Sequence, residues 1–313
     1  MTRVGVVGAT GAVGSVTLGL LAERGFDDVR AFASPRSAGK QVPFGDSDLL
    51  VEEATPENLG ADGLDLCFFS VGTDASRELV PHAVAGGTVC IDKSDAFRLA
   101  DGVPLIVAGV NDSSLRQDDE IVANPNCSAI QLSCVLKPLH EAAGLASVRL
   151  ATYQSMSGIG DAGIERLRST QPADGDLAMD WDMEGDEFSE ESKLRAETRK
   201  ILDLPDLPLQ AQCVRVPVLV GHAQAIWVET VEPLSADGAR GVLRSAPHIA
   251  LQDFATPGDA AGRNEILVGR VRPDTANGTG LALWSVNDNL RKGAALNAVQ
   301  IAEALLERRL VRA

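Results

Sequence analysis

The apolar positions change their rhythm near the middle of the chain. Up to about residue 126, short and nearly continuous apolar runs (3–7, 29–33, 64–69, 89–91 and 121–123) alternate with helically spaced segments. One such segment is 12–23, where Val13, Val16, Leu20 and Leu21 share a side; another is 75–85. Runs of this kind predict strands buried on both faces, joined by crossover helices into a doubly wound parallel sheet. Beyond Cys127 the order differs. Residues 128–143 read as a helix, 148–154 as a strand and 193–202 as a second helix. Four more strands are expected at 211–216, 225–231, 266–270 and 281–286, and a long alanine-rich amphipathic helix over 290–309. The pattern therefore predicts an α/β chain whose second part is an α+β domain with a mixed or antiparallel sheet. The acidic stretch 172–192 reads as a mobile loop around Gly185.

Composition narrows the function classes. The 313 residues are 45% hydrophobic and 23% charged, values of a globular chain long enough for two domains. With 28 Lys+Arg against 44 Asp+Glu, the net charge of −16 repels phosphate backbones and disfavours nucleic-acid or anionic-membrane binding. No apolar run approaches a membrane span, and the N-terminal residues pass straight into a strand, so a soluble, cytoplasmic protein is expected. The five cysteines form no CxxC pair or His/Cys cluster, which points to free thiols and no metal site.

The first strand ends in Gly8-Ala9-Thr10-Gly11-Ala12-Val13-Gly14, a glycine turn opening onto a helix. That context is the dinucleotide fingerprint: glycines let the backbone approach a pyrophosphate, and the helix N-terminus receives its charge. Gly8, Thr10, Gly11, Ala12, Val13 and Gly14 are therefore expected to bind a dinucleotide in a Rossmann-type domain. The second strand ends in Ser34-Pro35-Arg36-Ser37 rather than in an acidic residue. Ser34, Arg36 and Ser37 suit a ribose 2′-phosphate, so the expected cofactor is NADP.

A nucleophile is expected at Cys127, in Asn124-Pro125-Asn126-Cys127-Ser128, between a strand and a helix. There the helix dipole and unpaired N–H groups stabilise a thiolate, and the same donors suit an oxyanion. Of the four histidines, His82 and His140 fall in helical patterns, while His222 sits on a polar turn between two strands and is the expected base.

These residues bring the chain close to a known family. GATGAVG (8–14), SPRSAGK (34–40), FFSVGTDAS (68–76), NPNCSAIQL (124–132), TYQSMSG (152–158), CVRVPVLVGH (213–222), VGRVR (268–272) and DNLRKGAALNAVQIAE (288–303) stand in order along nearly the whole chain. The sequence resembles the aspartate-β-semialdehyde dehydrogenases. N-acyl-glutamyl-phosphate reductases share the fold and chemistry, but usually carry glycine where this chain has Asn126.

The resemblance implies NADPH-dependent, reversible reduction of L-aspartyl 4-phosphate to L-aspartate 4-semialdehyde and phosphate, at the branch leading to lysine, threonine and methionine. It implies that Cys127 forms a thioester, that His222 is its acid/base partner, that Gln154 orients the intermediate and that Asn126 supports the turn. Arg215 would take the substrate α-carboxylate, Glu190 its amino group, and Arg98 with Lys193 the inorganic phosphate. Ser157, Gly158, Gly160 and Asn289 would line the nicotinamide. It also implies an NADP-binding domain of residues 1–126 plus 289–313, a catalytic and dimerisation domain of 127–288, and a homodimer. A sister reductase acting on another carboxylate, or a non-catalytic NADP-binding paralogue, would share parts of this pattern. Without the resemblance, Glu190 and Lys193 read only as an i,i+3 pair on an exposed helix. Two departures stand out: Lys93-Ser94-Asp95 replaces the family's Asn-Ser/Thr-Ser after Asp92, and the 161–189 segment is shorter than usual.

Overall fold

The computed structural model describes residues 2–61, 63–169, 181–276 and 280–311. By its internal contacts the chain divides into two compact units, Met1–Pro125 with Ala294–Ala313, and Asn126–Gly293. Among the described residues, no helix is long and apolar enough to cross a membrane.

The first unit is built on β1 (Arg3–Val7), β2 (Asp28–Ala33), β3 (Gln41–Phe44), β4 (Ser47–Glu53), β5 (Leu66–Phe69), β6 (Val89–Asp92) and β7 (Ile121–Ala123). They form one sheet in the order β3-β4-β2-β1-β5-β6-β7, parallel except for the β3–β4 hairpin. Helices α1 (Ala12–Glu23), α2 (Pro56–Gly60) and α3 (Thr73–Ala85) connect the strands. The hairpin and α2 escape the sequence pattern for a physical reason. Val42 and Val51 are the hairpin's only buried apolar side chains, so no continuous apolar run marks it. The last helix, α9 (Leu296–Glu307), starts later than expected, after a π turn at Arg291–Ala295. Its Leu296, Val299, Ile301 and Leu305 join Val4, Val6, Leu18 and Ile91 in one core.

The glycine turn is shaped by close backbone approach. Gly8 has φ +82°, and a Cβ there would lie 2.4 Å from the Ser70 carbonyl oxygen; a Cβ on Gly14 would lie 2.0 Å from that of Gly8. A side chain at Gly8 would collide with the backbone just after β5, and one at Gly14 would force β1 and α1 apart.

The second unit opens with α4 (Cys127–Ala143), followed by β8 (Leu145–Gln154) and α5 (Asp161–Ser169). A small hairpin follows, β9 (Met183–Glu184) and β10 (Glu187–Phe188), then α6 (Ser189–Leu202), β11 (Leu209–Arg215) and β12 (His222–Thr230). The unit continues through α7 (Ala236–Ser245), β13 (Ile249–Leu251), α8 (Pro257–Ala260), β14 (Ile266–Pro273) and β15 (Gly280–Asn287). Its six-stranded sheet has the order β11-β8-β12-β15-β14-β13 and is mixed: antiparallel in the middle, with parallel pairs β11–β8 and β13–β14 at the edges. Helix α4 lies on one face, where Gln131 donates to Ser285 Oγ at 2.8 Å and Gln224 to the Ser128 carbonyl at 2.9 Å.

The acidic stretch departs from expectation. Gly185 (φ +69°) turns the β9–β10 hairpin rather than a mobile loop, and Glu187 pairs with Arg195 of α6 through an Oε2–Nη1 contact of 2.8 Å. Residues 170–180 of that stretch lie outside the described ones. Helix α6 begins four residues earlier than expected because Phe188 N donates to Glu191 Oε2 at 2.9 Å, closing its first turn. Glu190 is thereby drawn into the helix and buried.

Candidate active site

Strand register sets the site. Arg215 and Gln154 are neighbours across β11–β8, Ala223 pairs with Tyr153 across β12–β8, and His222 begins β12 opposite Asn287 of β15. One end of the sheet therefore collects Gln154, Arg215 and His222.

Cys127 is the first residue of α4. Asn126 caps that helix, its side-chain oxygen accepting from Ser128 N at 2.8 Å. Two acids of α6 fix the cap: Glu197 Oε2 accepts from Asn126 N at 2.6 Å, and Glu190 Oε1 from Asn126 Nδ2 at 3.0 Å. Cys127 is half-buried, whereas the other four cysteines are buried. Burial raises the thiols of Cys67, Cys90 and Cys134 and pushes Cys213 up to about 12, so these four remain protonated and inert.

His222 Nε2 lies 3.1 Å from Cys127 Sγ. Its Nδ1 accepts from the backbone N–H of Ser155 at 3.1 Å, and a backbone N–H can only donate. The neutral ring therefore carries its proton on Nε2 and presents it to sulfur. Burial and then the Arg215 charge push His222 down to about 3, so the ring is neutral near pH 7. The sequence placed His222 on a polar turn; the structure places it, fully buried, at the head of a strand. The turn proper ends at Gly221 (φ +105°).

Glu190 Oε1 also accepts from Gln154 Nε2 at 3.0 Å, so one buried carboxylate joins the Gln154 amide and the Asn126 cap of α4. This corrects the reading of Glu190 and Lys193 as an exposed surface pair: Glu190 is buried and Lys193, one turn on, is half-buried. Arg215 is buried and donates from Nη1 to the Ser155 carbonyl at 3.3 Å. Gly158 is where Arg215 and His222 converge, since a Cβ there would lie 3.1 Å from Arg215 Nη1 and 3.3 Å from the His222 ring. Asn289 Oδ1 accepts from Ser155 Oγ (3.0 Å), Ser157 Oγ (3.2 Å) and Gly221 N (2.9 Å), tying together the segments on either side of His222. Gly160 follows with φ +79°.

In the first unit, Arg98 is buried and paired with Asp95 at 2.8 Å; it also donates to the carbonyls of Lys93 (2.6 Å) and Asn124 (3.2 Å). The Lys93-Ser94-Asp95 departure thus supplies Arg98 with a carboxylate partner. The residues of the glycine turn fit a dinucleotide. Gly11 caps α1 without a side-chain bond, no acidic residue lies in the helix's first turn, and Ala12 and Val13 begin it. The N–H groups there are left for an anion. Thr10 Oγ1 meets Ser37 Oγ at 3.4 Å, while Ser34 and Arg36 are exposed at the end of β2.

Three contributors were not singled out by the sequence. Glu197 is hidden among the charges of a helix, and Ser155, which meets His222 through its backbone N–H and Asn289 through its hydroxyl, reads as one more serine of a polar run. Trp181 lies with its ring 4.7 Å from the Arg215 guanidinium carbon, in a stretch that reads only as acidic. Among the described residues, no group of three or more His, Cys, Asp or Glu is placed to hold a metal.

Comparison with known proteins gives consistent relatives. Residues 3–118 match the model of the semialdehyde dehydrogenase NAD binding domain, and residues 136–292 that of the semialdehyde dehydrogenase dimerisation domain. The chain is 39% identical over 343 residues to an aspartate-semialdehyde dehydrogenase of Bacillus subtilis, covering 99% of each. It is 42% identical to that of Corynebacterium glutamicum, covering 98% of this chain and 100% of the relative. Among solved structures, aspartate semialdehyde dehydrogenase II of Vibrio cholerae complexed with ASA superposes with a TM-score of 0.93 at 38% identity, covering 98% of both chains. The Candida albicans enzyme with NADP reaches a TM-score of 0.78 at 25% identity, covering 99% of this chain and all of that one.

Proposed function

The chain belongs to the semialdehyde dehydrogenase family, and from that premise we propose that it is an NADP-dependent, phosphorylating aspartate-semialdehyde dehydrogenase. The observation that carries this reading is the 3.1 Å contact between His222 Nε2 and Cys127 Sγ at the N-terminus of α4. Few folding requirements would place a half-exposed thiol there beside a buried neutral histidine.

In the oxidative direction, the Cys127 thiolate, stabilised at the N-terminus of α4 and by the His222 Nε2–H, adds to the aldehyde carbon of L-aspartate 4-semialdehyde. Negative charge grows on the former carbonyl oxygen, where the N–H groups at the start of α4 and His222 Nε2–H are suited to meet it. Loss of hydride from that carbon leaves a thioester on Cys127. A phosphate oxygen then attacks the thioester, the C–S bond breaks, and L-aspartyl 4-phosphate leaves as the thiolate is restored. NADP, when bound, supplies the hydride acceptor in this direction and the donor in reverse. For the substrate we assign the α-carboxylate to Arg215, whose planar fork matches it, and the amino group to Glu190. Inorganic phosphate is assigned to Arg98 and Lys193. Gln154 orients the intermediate from its anchor on Glu190, and Asn126 holds the nucleophile's turn.

The dinucleotide is assigned to Gly8, Thr10, Gly11, Ala12, Val13 and Gly14 for the pyrophosphate, with Ser34, Arg36 and Ser37 for the 2′-phosphate. Ser157, Gly158, Gly160 and Asn289 are assigned to the nicotinamide side. The NADP-binding domain in this reading is 1–126 plus 289–313, and the catalytic and dimerisation domain is 127–288. The enzyme would work in the cytoplasm, in amino-acid biosynthesis, on small molecules and without nucleic-acid or membrane partners.

We also propose a homodimer. On the sheet face away from α4, Tyr153, Trp227 and Trp284 are half-buried, and neighbouring Phe254 is exposed. An apolar aromatic face of this kind is suited to a second copy. Sedimentation velocity should find a dimer for the wild type and a monomer for Trp227→Arg; an unchanged dimer would move the interface elsewhere.

The test of the activity follows NADPH absorbance with NADP⁺ and L-aspartate 4-semialdehyde, with and without phosphate. Sustained turnover only with phosphate is expected, and N-acetyl-glutamate semialdehyde should be a far poorer substrate. Preference for the latter would overturn the assigned substrate.

A further inference from the structure

Trp181 stands just before the β9–β10 hairpin, and its position gives it a task. The Arg215 guanidinium lies over the Trp181 ring, its Cζ 4.7 Å from the ring centroid. A buried guanidinium on a strand end has several rotamers, only some of which direct its in-plane N–H fork at a carboxylate. An aromatic ring beneath the cation holds it by a cation–π contact, which narrows the rotamers open to it without supplying a competing hydrogen-bond acceptor.

Trp181 is itself held. Its ring meets Phe188 at a centroid distance of 6.1 Å, across the hairpin in which Met183 pairs with Phe188. Ser189 N donates to the Asp182 carbonyl at 2.8 Å, and Ser192 Oγ to Glu184 at 2.5 Å. The Glu187–Arg195 pair fastens the same hairpin to α6. Helix α6 also carries Glu190, so hairpin and helix form one wall of the site.

We propose that Trp181 is a positioning residue that sets the Arg215 guanidinium for the substrate's α-carboxylate, and so contributes to selection of an α-amino acid aldehyde. This rests on the assignment of Arg215 to that carboxylate. In Trp181→Ala, KM for L-aspartate 4-semialdehyde should rise about 10- to 30-fold while kcat stays within about threefold, the range of a desolvated cation–π contact. Trp181→Phe, which keeps a ring over the guanidinium, should recover most of the loss. With 3-aminopropanal, which lacks the α-carboxylate, Trp181→Ala should change kcat/KM by less than about twofold.

An equal loss on both aldehydes, or no loss on either, would overturn the proposal. A second readout does not need turnover. L-Aspartate, which carries the same α-carboxylate, should change tryptophan emission saturably in the wild type, and this response should vanish in Trp181→Phe and in Arg215→Ala. A wild type without phosphate-dependent turnover would sink the assigned activity alone. The emission titration would then decide the proposal: a response that depends on both Trp181 and Arg215 upholds it, and any other result overturns it.

Discussion

Cys127→Ala is expected to lower phosphate-dependent NADPH formation by about four orders of magnitude or more. The reaction requires a covalent acyl carrier, and none of the other cysteines can substitute. Cys67, Cys90, Cys134 and Cys213 are buried with raised thiols, so they offer neither a thiolate nor access. The variant should fold normally. Cys127 is half-exposed, and its cap through Asn126 to Ser128, Glu190 and Glu197 does not involve sulfur. NADP⁺ affinity and melting temperature close to wild type, measured beside the lost turnover, would separate chemistry from misfolding. Residual activity within tenfold of wild type would remove Cys127 from the mechanism.

His222→Gln should cost about two to three orders of magnitude in kcat, because it removes the Nε2–H held against sulfur. The pH behaviour is more specific than the loss. Two causes hold the ring neutral, burial first and the Arg215 charge second. A substrate carboxylate on Arg215 would offset the second and let the ring move back towards its ordinary range, where it can exchange a proton. The free-enzyme profile, kcat/KM, should therefore show no His222 limb between pH 5 and 8. The profile of the complex, kcat, should carry its acid limb at higher pH. Stability follows the same group. Its folded pKa is below the unfolded one, so as pH falls from about 6.5 towards 3 the unfolded chain takes up the proton and the native state loses stability. His222→Gln should lose that part of the acid destabilisation, readable in melting temperatures across the window.

The positions of Cys127 and of the glycine turn were legible in the sequence because each lies at a junction that local pattern marks. A continuous apolar run meeting glycines identifies the end of β1, and Asn-Pro-Asn-Cys before a helical run identifies the start of α4. The sequence singles out His222 as a residue of a polar turn between two strands, and the structure sets its Nε2 3.1 Å from Cys127 Sγ. It stands not on an open turn but at the head of a buried strand, and the bond that fixes its tautomer comes from the Ser155 backbone. The β3–β4 hairpin stayed hidden because one face of it is solvated. The acidic stretch was misread for a related reason: composition suggests a mobile loop, whereas Gly185 and cross-links to α6 make a hairpin. Burial of Glu190, and the engagement of Glu197 with the Asn126 backbone, depend on where α6 packs, which no local spacing encodes.

The central claim is that Cys127 carries the acyl group, and omitting phosphate exposes that intermediate. Wild-type protein mixed with NADP⁺ and L-aspartate 4-semialdehyde, then acid-quenched, would be read by intact mass spectrometry, peptide mapping and NADPH absorbance together. The expected result is a burst of about one NADPH per active site, matched by one aspartyl group on Cys127 that added phosphate discharges. A burst with no acyl group on Cys127, or phosphate-independent steady turnover, would contradict the account.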